Sequence, residues 1–106
     1  MNPNNAKNWP LDSYTNDTWT DLVAEPSIVA TLSIANTAAT SATVEVRLSD
    51  GSGNKLATIL PENALEGKDA FVLDIKSIPV TGVQTIQVKA SAAGVDFLAG
   101  GAVEAA

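Results

Sequence analysis

Twelve Asp and Glu residues against six Lys and Arg give this 106-residue chain a net charge of −6, and it contains neither cysteine nor histidine. Without cysteine there are no disulfides or thiolate metal sites, and without histidine the commonest general base and transition-metal ligand are gone. An acidic surface repels nucleic-acid phosphates and anionic lipid headgroups alike, so neither nucleic acid nor membrane is expected as a partner.

One domain is expected at this length. Residues 1–16 read as an irregular, extended N-terminal arm and 17–106 as the folded domain. Asn2, Asn4, Asn5 and Asn8 make the start too polar to bury much, and Trp9, Pro10, Leu11 and Tyr14 follow with no helical or strand period. Amphipathic aromatics on such an arm are good anchors, which makes Trp9 and Tyr14 candidate intersubunit contacts.

Residues 18–24, TWTDLVA, suit an edge strand, because neither alternating side is cleanly apolar, and Glu25-Pro26-Ser27 ends it. Ile28, Ala30, Leu32 and Ile34 then recur at every second position. After the turn formers of residues 36–41, Ala42, Val44, Val46 and Leu48 alternate with Thr43, Glu45, Arg47 and Ser49. That period of two describes strands covering a core on one face, and the short connection reads as a hairpin.

Asp50-Gly51-Ser52-Gly53-Asn54 is the densest turn signal in the chain. Residues 55–60 read as a short strand ended by Pro61, and residues 61–69 as a polar loop. Phe71, Leu73 and Ile75 give another strand, residues 78–82 a turn, and Ile86, Val88 and Ala90 a further strand. Residues 91–94 read as a hairpin turn into residues 95–103. In this last strand Leu98, Gly100 and Ala102 break the polar side, so its middle is expected to be covered twice. Leu98, Gly100 and Gly101 are therefore candidate intersubunit contacts, the glycines by admitting a second backbone. About seven short strands with turns between them argue for an all-β fold, an antiparallel β-sandwich, either jelly-roll-like or Ig-like.

No catalytic constellation emerges. Glu62, Glu66 and Asp69 cluster in a solvated stretch, and there is neither a nucleophile elbow nor a glycine-rich phosphate loop. The Asp50-x-Ser52-x-Asn54 spacing puts oxygens at alternate positions but lacks a closing bidentate glutamate, and ordinary turn chemistry accounts for it. The expectation is no enzyme, no metal and no cofactor. Asn16-Asp17-Thr18 matches a glycosylation acceptor by chance, and Trp19 is a candidate sugar-stacking residue.

The pattern Trp19-x-Asp21-Leu22-Val23, then Ile34-Ala35-Asn36-Thr37 followed by Ala42-x-Val44-x-Val46-Arg47-Leu48, resembles small accessory structural proteins of tailed bacteriophages. The stretch Ile86-Gln87-Val88-Lys89-Ala90-Ser91-Ala92-Ala93-Gly94-Val95-Asp96-Phe97 is similar to their closing hairpin, so the likeness runs over residues 18–104. The chain departs from them at Gly82, which precedes Val83 where an aspartate is frequent. The resemblance implies a sandwich that assembles, often as a trimer, on a capsid or tail. The expected function is that of a virion structural protein, made in a host cytoplasm: a capsid decoration or cement protein. Its expected partners are the major capsid protein or another virion protein, and copies of itself in a homo-oligomer, a trimer favoured. A tail, collar or baseplate component is one alternative. The other is a host-glycan-binding module using Trp19 or the loops at 50–54 and 61–69.

Overall fold

A computed structural model describes residues 5–14 and 17–103. These residues form eight strands and no α-helix: β1 (Ala6–Tyr14), β2 (Thr20–Val23), β3 (Ser27–Asn36), β4 (Ala42–Ser49), β5 (Lys55–Leu65), β6 (Ala70–Val80), β7 (Thr85–Ala90) and β8 (Val95–Val103). They make two four-stranded antiparallel sheets, in the orders β1-β8-β3-β6 and β2-β7-β4-β5. The all-β antiparallel sandwich is the architecture expected from the alternation.

The pairings are nested. β1 pairs with β8, β2 with β7, β3 with β6 and β4 with β5, as though the chain were one long antiparallel ribbon bent at residues 50–54 and then rolled. β3 with β8 and β4 with β7 complete the two sheets. An Ig-like sandwich keeps its first two strands side by side, whereas here β1 and β2 lie in different sheets.

Four expectations are corrected. Residues 36–41 and 91–94 are not hairpin turns: each carries the chain from one sheet to the other, and only the β4–β5 connection reverses within a sheet. Turn-forming residues mark where a chain reverses, not which layer it enters next. Residues 61–65 continue β5 rather than looping. Residues 6–14 of the expected arm form β1, the eighth strand, with Trp9 and Tyr14 only 7% and 6% exposed. The rest of that arm, residues 1–4 and 15–16 with the Asn16 acceptor, lies outside the described residues.

The alternation in β3 is also interrupted. The register slips between Val29 and Thr31 against both neighbours, leaving Ala30 in a bulge. A one-residue slip exchanges the two faces of a strand. Val29, Leu32 and Ile34 therefore point into the core, while Ile28 is 47% exposed.

The core is an apolar layer of Val23, Val29, Leu32, Ile34, Val44, Val46, Val80, Ile86, Val88, Val95 and Phe97, all fully buried. Tyr14 meets Phe97 edge to face, with centroids 6.0 Å apart, and its hydroxyl donates to the Thr18 carbonyl. At one end the crossing loops converge on Asn36, which is 2% exposed. Asn36 Nδ2 donates to the carbonyls of Thr40 (2.9 Å) and Leu65 (3.2 Å), and its Oδ1 accepts from the Ala38 amide. The Thr37 amide reaches the Gly94 carbonyl and the Lys68 amide the Ala38 carbonyl, so three connections are laced together there.

Candidate interaction surfaces

The residues that sequence reasoning singled out fall in three different environments. Trp9 and Tyr14 are consumed by the chain's own core, and Trp9 Nε1 donates to Glu25 at 2.9 Å. Glu25 also accepts from Lys7, and these two donors hold its carboxyl below the ordinary carboxylate range. Gly100 and Gly101 lie on β8 between β1 and β3. A Cβ at Gly101 would collide with the Ile28 carbonyl oxygen, and one at Gly100 would press on Thr31 Oγ1 at 3.0 Å. Their small size therefore serves packing within the sheet. Of the five, Leu98 is the one whose side chain stands exposed, at 41%.

Around Leu98 the strand register builds a continuous face. One row across the β1-β8-β3-β6 sheet reads Pro10, Leu98, Ser33, Val72. The rows beyond it read Asn8, Gly100, Thr31, Asp74, and then Ala6, Ala102, Ile28, Pro79. On its other side Asp96, Ala35 and Ala70 are opposed. Leu98, Val72 and Ile28 are three of the exposed large apolar side chains, set among Pro10, Ser33, Thr31, Gly100, Asp74 and Pro79. At the Ile28 end a cleft of about 600 Å³ opens, lined by Ile28, Ala30, Lys76, Pro79, Val80 and Val103 among others.

The outer face of the other sheet is built differently. Asp21, Gln87, Arg47 and Thr58 share one row across all four strands. Gln87 Nε2 donates to Asp21 Oδ1 at 3.0 Å and Arg47 Nε donates to Gln87 Oε1 at 2.8 Å. Trp19 sits against this row, with the Arg47 guanidinium 4.2 Å and the Lys89 ammonium 5.8 Å from its ring centroid. Lys89 also lies 4.0 Å from Glu45. One face of the Trp19 ring is thus covered by Arg47, an attraction worth about 0.5–1 kcal/mol at an exposed site.

The loop at 50–54 is likewise self-satisfied. Asp50 Oδ1 accepts from the amides of Ser52 (2.7 Å) and Asn54 (3.2 Å), and Oδ2 from Asn54 Nδ2. Those bonds lower the Asp50 pKa, the Ser52 amide foremost. Gly51 and Gly53 take φ of +85° and +89°, a region that costs glycine least. Among the described residues no group of three acids, histidines or cysteines is placed to hold a metal. What sequence reasoning missed is that Val72 and Ile28 stand exposed on the same side of one sheet as Leu98. The Ala30 bulge and the unknown strand order hid this.

No protein-family model and no curated protein sequence matches the chain. Solved structures do. A pentameric capsid protein from metagenomic phage sequences is 15% identical with a TM-score of 0.47, over 96% of this chain and 64% of that one. This chain thus spans about two thirds of that protein's length. A protein of the disulfide-linked pili of Bacillus endospore appendages is 16% identical with a TM-score of 0.49, over 93% and 88% of the two chains. PirA is 11% identical with a TM-score of 0.45, over 94% and 96%.

Proposed function

We propose that this protein is a virion structural protein that attaches to a repeating protein shell and works through the fit of its surfaces. Within that class a capsid decoration or cement role is favoured over tail, collar or baseplate, with the chain forming a symmetric oligomer, a trimer by the resemblance, at its shell sites. The nested strand order is that of double-sheet jelly rolls, which serve viral capsids, lectins and cupins alike. Fold alone does not choose among these; the side chains do. A cupin-type metal centre draws on histidine, absent from this chain. A lectin-type site draws on a bare aromatic platform, and Trp19 is capped by Arg47.

The observation that carries the proposal is that Leu98, Val72 and Ile28 all stand exposed on the outer side of one sheet. Large apolar side chains gathered in the open on one side of a small domain mark an interaction site. The test is to mix the purified chain with empty shells assembled from the major capsid protein of the same virus. Saturable co-sedimentation, at a stoichiometry set by the shell lattice, is the expected result. A chain that ignores shells and tails and binds glycans on an array would overturn the proposal.

A further inference from the structure

We infer that the flank of the sandwich formed by β5 and β6 is the surface through which copies of this chain meet, each copy turning that flank toward the axis of the oligomer. The inference rests on the proposed symmetric oligomer and names its contact surface. The two flanks of the sandwich differ. On one, β1 touches β2, and the inward side chains of both edge strands are buried: Trp9 and Tyr14 on β1, Leu22 and Val23 on β2. On the other, β6 and β5 are the edge strands of the two sheets, joined by residues 66–69. There the inward side chains are left partly open. Phe71 and Leu73 oppose Ile34 and Leu32 across β6 and β3, and Leu60 opposes Val46 across β5 and β4. Ile34, Leu32 and Val46 are fully buried, whereas Phe71, Leu73 and Leu60, like Ile59 and Ile75, are only half-buried. Leu56 on the same edge is 50% exposed. Pro61, Pro79 and the positive φ of Lys76 interrupt the two edges. The contact is therefore made by side chains and not by a strand ladder shared between molecules.

A second copy fits this flank on three counts. Six large apolar side chains gather here against three on the outer face around Leu98, and interfaces between like subunits are the more apolar class. A contact between copies also sets a surface against its own charge. Residues 55–80 hold Lys55, Lys68 and Lys76 against Glu62, Glu66, Asp69 and Asp74, a net −1 of the chain's −6. Both signs are present in near balance, so two such flanks can approach without strong like-charge repulsion. Area agrees. Two eleven-residue strands at ~3.3 Å per residue, in sheets ~10 Å apart and with a strand's width on either side, present roughly 700 Å². That is close to the ~800 Å² per partner of a stable free complex.

The experiment uses the full chain free in solution, its mass followed by analytical ultracentrifugation from micromolar to millimolar concentration. The parent is expected to assemble. Leu56→Glu, at an exposed position, and Ile59→Gln, at a half-buried one, are each expected to raise the dissociation constant about tenfold or more. Leu98→Lys, on the outer face of the β1-β8-β3-β6 sheet, should assemble as the parent does. Thermal melts confirm that each variant folds, and Leu56→Glu decides if Ile59→Gln melts too early to be read. Assembly unaffected by Leu56→Glu, or weakened as much by Leu98→Lys, overturns the inference and leaves an oligomer built through another surface. A parent that stays monomeric at every concentration overturns it as well, and sedimentation of that same preparation with empty shells then decides separately whether shell attachment stands.

Discussion

The two outer faces of this sandwich solve the same problem in opposite ways. On the β2-β7-β4-β5 sheet, outward side chains answer one another across the strands: Asp21 accepts from Gln87, Gln87 accepts from Arg47, and Arg47 lies over Trp19. On the β1-β8-β3-β6 sheet the outward positions hold Leu98, Val72, Ile28 and prolines interspersed with Asn8, Thr31, Ser33, Asp74 and Asp96. The first face spends its side chains on the fold, through cross-strand pairs of a few tenths of a kcal/mol to ~1 kcal/mol each. On the second, three large apolar side chains stay exposed.

The largest expected effect lies just beneath the bare face. Gly101→Ala would drive a Cβ into the Ile28 carbonyl, backbone against backbone, so no flexible side chain can yield. We expect a loss on the order of 3 kcal/mol, read from urea midpoints, and a smaller one at Gly100, where the obstacle is the Thr31 hydroxyl. Equal, small losses at both positions would mean that the sheet does not pack as closely behind this face as its register implies. On the networked face, Arg47→Ala should cost ~1 kcal/mol through the lost ring contact and hydrogen bond. In a double-mutant cycle with Trp19→Ala, the pair should show a coupling of ~0.5–1 kcal/mol. No coupling would leave the Trp19 ring available to a ligand after all.

The contrast between the faces was only half legible in the sequence. Val44, Val46 and Val88 alternate cleanly with Glu45, Arg47 and Lys89, so the buried and outward sides of β4 and β7 could be drawn from periodicity alone. The other sheet could not, for two physical reasons. Ala30 bulges and exchanges the faces of β3 midway, so Ile28 leaves the core although it shares parity with Leu32. And β1 reads as irregular because Pro10 and outward Asn8 belong to an edge strand whose pairing partner, β8, lies some ninety residues away in the chain. Trp9 and Tyr14 look like anchors for a neighbour and are anchors for the chain's own core; aromatic character announces burial without saying in which molecule. Leu98 was legible as a break in alternation, and that reading placed it outward.

Middle-sized effects separate burial from display. Among the described residues Thr85 Oγ1 is buried with no hydrogen-bond partner, on the networked sheet opposite Ser49. Thr85→Val keeps the shape and removes the unpaired hydroxyl, so it should be neutral or stabilising by up to ~1 kcal/mol in thermal melts. A clear destabilisation would place a hydrogen-bonding role at that hydroxyl. On the bare face, Leu98→Ser and Val72→Thr should each change stability by no more than ~0.5 kcal/mol, since neither side chain is needed by the core. Stability that tracks these two residues would move the bare face from display into the fold.

The smallest effect concerns how the edge of the bare sheet is fastened. Lys7 and Trp9 on β1 both donate to Glu25, in the connection between β2 and β3, and so clamp β1 to the link between the two sheets. Those donors favour the ionised carboxylate, so its pKa in the folded chain lies below its value in the unfolded one. A carboxyl lowered in this way adds stability above its unfolded pKa, near ~4.3, and that contribution disappears as pH falls through the folded value. Asp50, lowered by the amides of its own hairpin, behaves in the same sense on the other sheet. Glu25→Gln keeps an oxygen to accept from Trp9 but no charge for Lys7. The variant should therefore be less stable than the parent at pH 7 and approach it at pH 3, with Asp50 left to carry the remaining acid sensitivity. Urea midpoints taken across that range decide the matter: a gap that stays constant with pH would mean that Glu25 holds β1 by packing rather than by charge.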